Sequence, residues 1–130
     1  MLHHLSIAVS SLDRSAVFYD AALCTLGYAR VWTHGDAIGY SVPGNDDRFA
    51  IKHSPSNVKI PGAGFHIAFA APSRVAVENF YRAALKCGGN DNGEPGLRPV
   101  YGEHYFAAFV FDPDGYRIEA VIDGEPEPPV

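Results

Sequence analysis

The sequence predicts an α+β fold in which one βαβββ unit is used twice. Three observations carry that prediction. The chain repeats itself: the segment His4–Gly27 lies on His66–Gly89 without a gap. Nine of the 24 positions are then identical, namely His4/His66, Ala8/Ala70, Ser11/Ser73, Phe18/Phe80, Tyr19/Tyr81, Ala21/Ala83, Ala22/Ala84, Leu23/Leu85 and Gly27/Gly89, where ordinary residue frequencies give about one or two. Each copy opens on alternating residues and passes into a run with helical spacing, the change of period from 2 to 3.6 that marks a strand followed by a helix. Each copy then breaks into short runs separated by glycine, proline, aspartate and asparagine, the residues that turn a chain between strands.

In chain order, Leu5, Ile7 and Val9 alternate with His4, Ser6 and Ala8, which is a half-buried strand. Ser11 is the expected N-cap of a helix, because its hydroxyl can accept from a backbone N–H of the first turn. Phe18, Tyr19, Ala22, Leu23 and Leu26 follow the helical period, and Gly27 stops it. Strands are expected over Tyr28–His34, Ala37–Pro43 and Arg48–His53, turned at Gly35-Asp36 and at Gly44-Asn45-Asp46-Asp47. The halves meet near Ile60-Pro61-Gly62. The second begins with a strand carrying Ile67 and Phe69 on one face and His66, Ala68 and Ala70 on the other. Ser73 caps its helix, and Gly88-Gly89 ends it. Strand signals are weak across Gly89–Val100, where Gly93-Glu94-Pro95-Gly96 reads as a turn and not as a phosphate loop, since no helix signal follows it. Two strong strands close the chain, His104–Asp112 and Tyr116–Ile122, joined by Asp112-Pro113-Asp114-Gly115. The units span about residues 2–60 and 64–123 of one domain, 1–125. The acidic, proline-rich tail 124–130 is expected to fray.

The chain has 130 residues, 47% apolar and 19% charged, enough to bury a core without staples. Its net charge is -5, from 10 basic and 15 acidic residues, with no basic cluster. That argues against nucleic acid and against anionic membrane surfaces as partners. No apolar run approaches the ~20 residues of a membrane span, and the opening Met1–Ser11 lacks the basic stretch and apolar core of a secretory signal. Cys24 and Cys87 read as reduced, buried thiols inside helices of a cytoplasmic protein.

Alternation also sorts the chemistry. The bulky faces, Leu5-Ile7-Val9 and Ile67-Phe69, belong under the helices. The opposite faces carry one histidine each, His4 and His66, followed by small residues that leave room for a cavity. On the last strand, Arg117, Glu119 and Val121 share the face opposite Ile118, Ala120 and Ile122. Packed with pseudo-twofold symmetry, His4 and His66 approach each other across the axis and Glu119 joins them. Two imidazoles and a carboxylate with open positions suit Fe(II), Mn(II), Co(II), Ni(II) or Zn(II). His3 neighbours His4 but points the other way and reads as structural or exposed.

These residues resemble the vicinal oxygen chelate superfamily, which includes glyoxalase I, extradiol dioxygenases, fosfomycin-modifying enzymes, methylmalonyl-CoA epimerase and bleomycin-binding proteins. The opening His4-Leu-Ser-Ile-Ala-Val-Ser-Ser-Leu-Asp-Arg-Ser with Phe18-Tyr19 resembles its first strand and helix. Gly64-Phe-His66-Ile-Ala-Phe resembles the start of its second module, and Asp112-Pro-Asp-Gly-Tyr-Arg-Ile-Glu119 its closing signature. The likeness spans residues 2 to about 123. It implies a cupped, barrel-like mixed sheet, a divalent metal held by His4, His66 and Glu119, a small-molecule substrate and a homodimer, in which the halves of a cup can come from different chains. The chain departs from glyoxalase I in lacking an acidic fourth ligand among Ile51, Lys52 and His53. It departs from the extradiol dioxygenases in placing Phe109 where their tyrosine stands, upstream of the glutamate on the preceding strand.

Trp32, Tyr40, Arg98, Tyr101 and His104 are expected to line the cup, with Arg98 able to grip a carboxylate or phosphate. His53 and Tyr105 are the candidate proton-transfer residues, Tyr105 because it shares strand parity with Phe109. The expectation is a glyoxalase-like metal-dependent enzyme of lyase or isomerase type. The alternatives are a non-catalytic drug- or metabolite-binding protein and a ring-cleaving dioxygenase.

Overall fold

A computed structural model describes residues 1–126, so the tail expected at 124–130 lies outside the described residues from 127 onward. The first unit comprises β1 (Leu5–Val9), α1 (Leu12–Cys24), β2 (Ala29–His34), β3 (Ala37–Ser41) and β4 (Phe49–His53). The second comprises β5 (Ile67–Ala70), α2 (Arg74–Lys86), β6 (Asn90–Leu97), β7 (Tyr105–Phe111) and β8 (Arg117–Asp123). Each unit makes a four-stranded sheet of one order, β1-β4-β3-β2 and β5-β8-β7-β6. In both, the first strand pairs in parallel with the last and the other pairs are antiparallel. The sheets are cupped but not closed, so the barrel-like description gives way to two separate sheets, with β1 and β5 as end strands of their own sheets.

Local chemistry explains the helices. Ser11 Oγ accepts from the Arg14 N–H at 3.3 Å and Ser73 Oγ from the Ala76 N–H at 3.0 Å, so both expected N-caps are made. Gly27 leaves α1 with φ +88°. The residue doing the same after α2 is Gly88, at φ +104°, and not the repeat-matched Gly89. Gly89 serves close packing instead: a Cβ there would stand 2.7 Å from the Phe18 ring and 2.8 and 2.9 Å from the carbonyls of Ala84 and Phe111.

The bulky strand faces bury as the alternation requires. Ile7, Val9, Phe49 and Ile51 pack with Phe18, Tyr19 and Leu23 of α1, while Ile67, Ile118 and Val110 pack with Val77, Phe80 and Ala84 of α2. The helices touch each other, and Phe49 meets Phe69 edge-on at 5.2 Å, so one apolar core joins both units. The Asp112–Gly115 turn clamps them together. Asp112, 1% exposed, accepts from the Tyr19 hydroxyl at 2.6 Å and from the Asp114 and Tyr116 N–H groups at 2.9 Å. Asp114 takes the Ser10 N–H at 3.0 Å, the Ser10 hydroxyl and Arg14 Nη2 at 2.7 Å. Tyr116 donates to the Ala8 carbonyl, and Tyr28 to the Ala70 carbonyl, each at 2.7 Å.

Two local expectations are corrected. Gly93-Glu94-Pro95-Gly96 is not a turn: it lies within β6, which pairs with β7 through two register shifts that absorb the glycines and the proline. Cys24 and Cys87 are free, but Cys24 is exposed at the end of α1, and Cys87, the C-cap of α2, is half-buried, because both fall past the helix positions that face the core. Among the described residues no helix is long and apolar enough to cross a membrane.

Candidate functional site

The faces turned away from the helices are open. Ser6 and Ala8 on β1, and Ala68 and Ala70 on β5, are exposed although their strands are hydrogen-bonded into sheets. On the second sheet this face carries a cluster of polar side chains. Glu119 of β8 lies opposite Ala68 on one side and Phe109 on the other. His66, just before β5, brings Nε2 to 3.0 Å from Glu119 Oε1. Tyr105, at the start of β7, donates its hydroxyl to Glu119 Oε2 at 2.5 Å. The His66 side chain is 49% exposed and that of Glu119 only 2%, so the carboxylate sits at the bottom of the face and the imidazole at its mouth. Burial, then the hydrogen bond and charge of Glu119, raise the Tyr105 hydroxyl above its ordinary value and keep it a proton donor. The Phe109 ring floors the cluster, its centre 6.5 Å from that of His66.

The first sheet does not match this. His4 is exposed at the entry to β1, its Nδ1 2.9 Å from Nδ1 of His3 and the two rings edge-on, so His3 does not point away from it as alternation led to expect: β1 begins only at Leu5, and both histidines precede it. Among the described residues no three His, Cys, Asp or Glu side chains converge, so one chain joins His66 to Glu119 but not to His4. Strand register also relocates the counterpart of Glu119. Ser6 pairs with Ala50 as Ala68 pairs with Glu119. The fourth-ligand position is therefore Ala50, just before the Ile51–His53 stretch expected to hold it, and it offers no donor.

Of the other expected site residues, Tyr101 and Arg98 stay beside this cluster, against Tyr105 and Phe109, and the rest lie elsewhere. Trp32 lies across Gly39, where an added Cβ would be 2.3 Å from the indole, and donates Nε1–H to Asp47 at 3.0 Å. Tyr40 is on the core side, 1% exposed, and donates to Asp20 at 2.8 Å. Burial opposes the charge of Asp20, but the bonds from Arg30 and Tyr40 outweigh it and hold that carboxyl below its usual range. Tyr101 is exposed, its ring 5.3 Å from that of Tyr105, and His104 stands 3.9 Å from Glu103. His53 is exposed at the far end of β4 and lines a polar cavity of about 480 Å³ with Ser10, Ser54, Ser56 and Asp114, away from the Glu119 cluster. An apolar cavity of about 430 Å³ opens between β1 and β5, lined by Leu5, Leu23, Tyr28, Phe49, Ile67 and Phe69 with Arg48 and Asn45. Tyr40, Ala68 and Ala70, which the sequence sets at a cavity, line it too, whereas Leu5, Leu23, Phe49 and Phe69 come to it from faces expected under the helices, brought together by contacts between units that no periodicity connects.

The family described as the Glyoxalase/Bleomycin resistance protein/Dioxygenase superfamily matches residues 1–120. Among solved structures, a glyoxalase/bleomycin resistance protein from Albidiferax ferrireducens is 30% identical, with a TM-score of 0.82 over 95% of this chain and 99% of its own. A glyoxalase-related enzyme from Fulvimarina pelagi is 19% identical, with a TM-score of 0.73 over 95% of this chain and 88% of its own. A glyoxylase/bleomycin resistance protein/dioxygenase domain from a Frankia species is 18% identical, with a TM-score of 0.70 over 95% of this chain and 98% of its own. The last two speak to the fold alone. No curated protein matches the sequence.

Proposed function

The chain belongs to the glyoxalase/bleomycin resistance protein/dioxygenase superfamily, and on that premise we propose a divalent-metal-dependent enzyme that acts on a small oxygen-chelating substrate by lyase or isomerase chemistry. The observation that carries the reading is the meeting of His66, Glu119 and Tyr105 on an open sheet face: an imidazole nitrogen and a buried carboxylate 3.0 Å apart, with a phenol hydrogen-bonded behind them. That donor set fits Fe(II), Mn(II), Co(II), Ni(II) or Zn(II). His66 and Glu119 would hold the ion, with His4 as the third ligand. When bound, such an ion supplies Lewis-acid stabilisation of negative charge on substrate oxygens.

The chain's own groups do the rest. Tyr105 orients Glu119 through the hydrogen bond to Oε2, leaving Oε1 toward His66. Tyr105, whose hydroxyl stands on the same face, gives a proton to a substrate atom or holds one there. Phe109 and the alanines of β5 give the substrate an apolar seat. Because His4 stays apart from the pair within one chain, His4 of a second copy completes the site, and the working unit is a homodimer in the cytoplasm, where both free thiols stay reduced. The apolar cavity between β1 and β5 supports a second reading, a protein that sequesters an apolar drug or metabolite without reacting it.

Metal content after reconstitution tests both. His66→Ala and His4→Ala each abolish stoichiometric binding and Glu119→Gln weakens it by orders of magnitude, whereas His3→Ala, which removes only a hydrogen bond to His4, keeps it stoichiometric. Refolding the His4→Ala and His66→Ala chains together restores about a quarter of the wild-type sites, since half the dimers are mixed and each mixed dimer has one whole site. No recovery on mixing would place the cup within one chain. No binding of any of the five metals by the wild type would leave the sequestering protein as the better reading.

A further inference from the structure

Beside this face, β6 holds a cation in a prepared seat. Arg98, just after the strand, lies over the Phe109 ring with Cζ 5.3 Å from its centre, the ring that also floors His66. Its Nη2 donates to the Glu94 carbonyl at 2.7 Å and its Nη1 to the Leu97 carbonyl at 3.4 Å. Its backbone N–H donates to the carbonyl of Tyr105, the residue whose hydroxyl reaches Glu119. Two glycines make the seat. A Cβ on Gly93 would stand 3.1 Å from the Phe109 ring and 3.2 Å from Nη2, and one on Gly96 would stand 3.2 Å from Nη1. Gly93 also has φ +147°, which side chains rarely adopt. Both fall at the register shifts of β6, so the bulged strand and its missing side chains leave room for the guanidinium over the ring.

A flat guanidinium held by backbone carbonyls keeps its whole charge. Among the described residues no carboxylate lies within ion-pair distance of Arg98. Two of its five N–H groups are engaged and the others remain to be satisfied.

We propose that Arg98 is an anion anchor, and that the substrate carries a carboxylate on a short hydrocarbon arm whose other end reaches His66 and Glu119. The proposal rests on the reading of that face as the reaction site. A carboxylate is planar and offers two oxygens to one edge of a guanidinium, the bidentate pairing an ammonium cannot make. The arm lies on Phe109, the ring shared by the anchor and His66. The bulges of β6 and its two glycines make the room in which the anchor is oriented.

Benzoate tests the anchor, benzamide is its neutral isostere, and phenylphosphonate is the competing anion. Each is titrated into metal-reconstituted protein while the backbone amides of Gly93, Gly96, Arg98 and Tyr105 are followed by NMR. Benzoate is expected to shift these amides and to bind at least about tenfold more tightly than benzamide. Arg98→Gln removes that preference, and Arg98→Lys, which keeps the charge but loses the fork, weakens benzoate by about tenfold. Gly96→Ala, which crowds Nη1 without touching the charge, weakens it as well. Equal binding of benzoate and benzamide, or an Arg98→Gln chain that binds benzoate as the wild type does, overturns the anchor. Tighter binding of phenylphosphonate overturns the carboxylate. Metal content is read on the same samples, so a failure of the metal site appears there and a failure of anion capture in the titration.

Discussion

Replacing Asp112 by alanine removes the centre of the clamp between the two units, and the structure sets the size of the effect. The carboxylate is 1% exposed and accepts three hydrogen bonds, one from the buried Tyr19 hydroxyl and two from backbone N–H groups of its own turn. Alanine leaves all three donors without a partner. A buried donor left unpaired costs about 1–3 kcal/mol, and relief of the desolvated carboxylate offsets part of the sum, so the net loss is about 3–5 kcal/mol. In a chain of this size that lowers Tm by roughly 10–20 °C. Urea unfolding at constant m-value measures it, and a loss below about 1 kcal/mol would refute the reasoning. Charge gives a second reading of the same site. Burial raises the Asp112 carboxyl above its ordinary value, against the bonds from Tyr19, Tyr116 and Asp114 that lower it. A carboxyl raised in the folded state contributes most to stability in acid, below about pH 4, and that contribution is lost as pH rises through the folded value. Asp112→Asn removes the titration and keeps an oxygen for the backbone N–H groups. From about pH 4 to about pH 7 its stability should gain on the wild type, and a difference moving the other way would show that the charged form is the favoured one.

Three further outcomes are expected. Gly39→Ala places a Cβ 2.3 Å from the Trp32 indole and must displace it from Asp47, so the emission of the single tryptophan shifts; unchanged emission would mean that the ring never lay on the glycine. Gly89→Ala presses on two backbone carbonyls and the Phe18 ring and costs about 1–3 kcal/mol by overpacking, while Gly27→Ala meets no atom and costs only the strain of φ +88°, about 1–2 kcal/mol; chemical denaturation compares them, and a loss confined to the Gly27 variant contradicts the packing role. Tyr105→Phe keeps the metal bound but lowers turnover by about a hundredfold or more once a substrate is found, and unchanged turnover removes Tyr105 from proton transfer.

Much of the fold was legible because its determinants are local. The period-2 runs at Leu5–Val9 and His66–Ala70, the serines that cap both helices and the glycines that follow them act through near neighbours, and the same letters recur in the second unit. Strand parity likewise put His66, Glu119 and Tyr105 on one face, and strand pairing brings them together. What escaped depends on long-range register or on contacts between units. The Asp112–Gly115 turn stood out as a signature near the glutamate, yet its carboxylates bind Tyr19, Ser10 and Arg14, partners in the other unit that no spacing reveals. The glycines of β6 read as a turn because composition records a missing side chain without saying what fills the space.

The fate of the fourth ligand shows the limit most sharply. The alignment of His4 with His66 matches the openings of the two units, but Ala50 and Glu119, structural mates by pairing with Ser6 and Ala68, stand further apart along the chain than the two histidines do. The second unit carries extra residues between its helix and its last strand, so a repeat found at the start cannot be extended to the end. Carried on without a gap, the same alignment sets Glu119 against Asn57, past the end of β4. Reading the ligand from the end of that strand, among Ile51, Lys52 and His53, overshoots as well. The register matters for function because it makes the two faces unequal. The first unit keeps a histidine with an alanine opposite Ser6, and the second keeps a histidine, a carboxylate and the phenol that holds it. A duplicated fold with two full sites would need no second copy of the chain. With one face reduced to His4, the proposed ligand set of His4, His66 and Glu119 would need that histidine delivered to the other face, which is why the mixing of His4→Ala and His66→Ala chains bears on the assembly and on the chemistry at once.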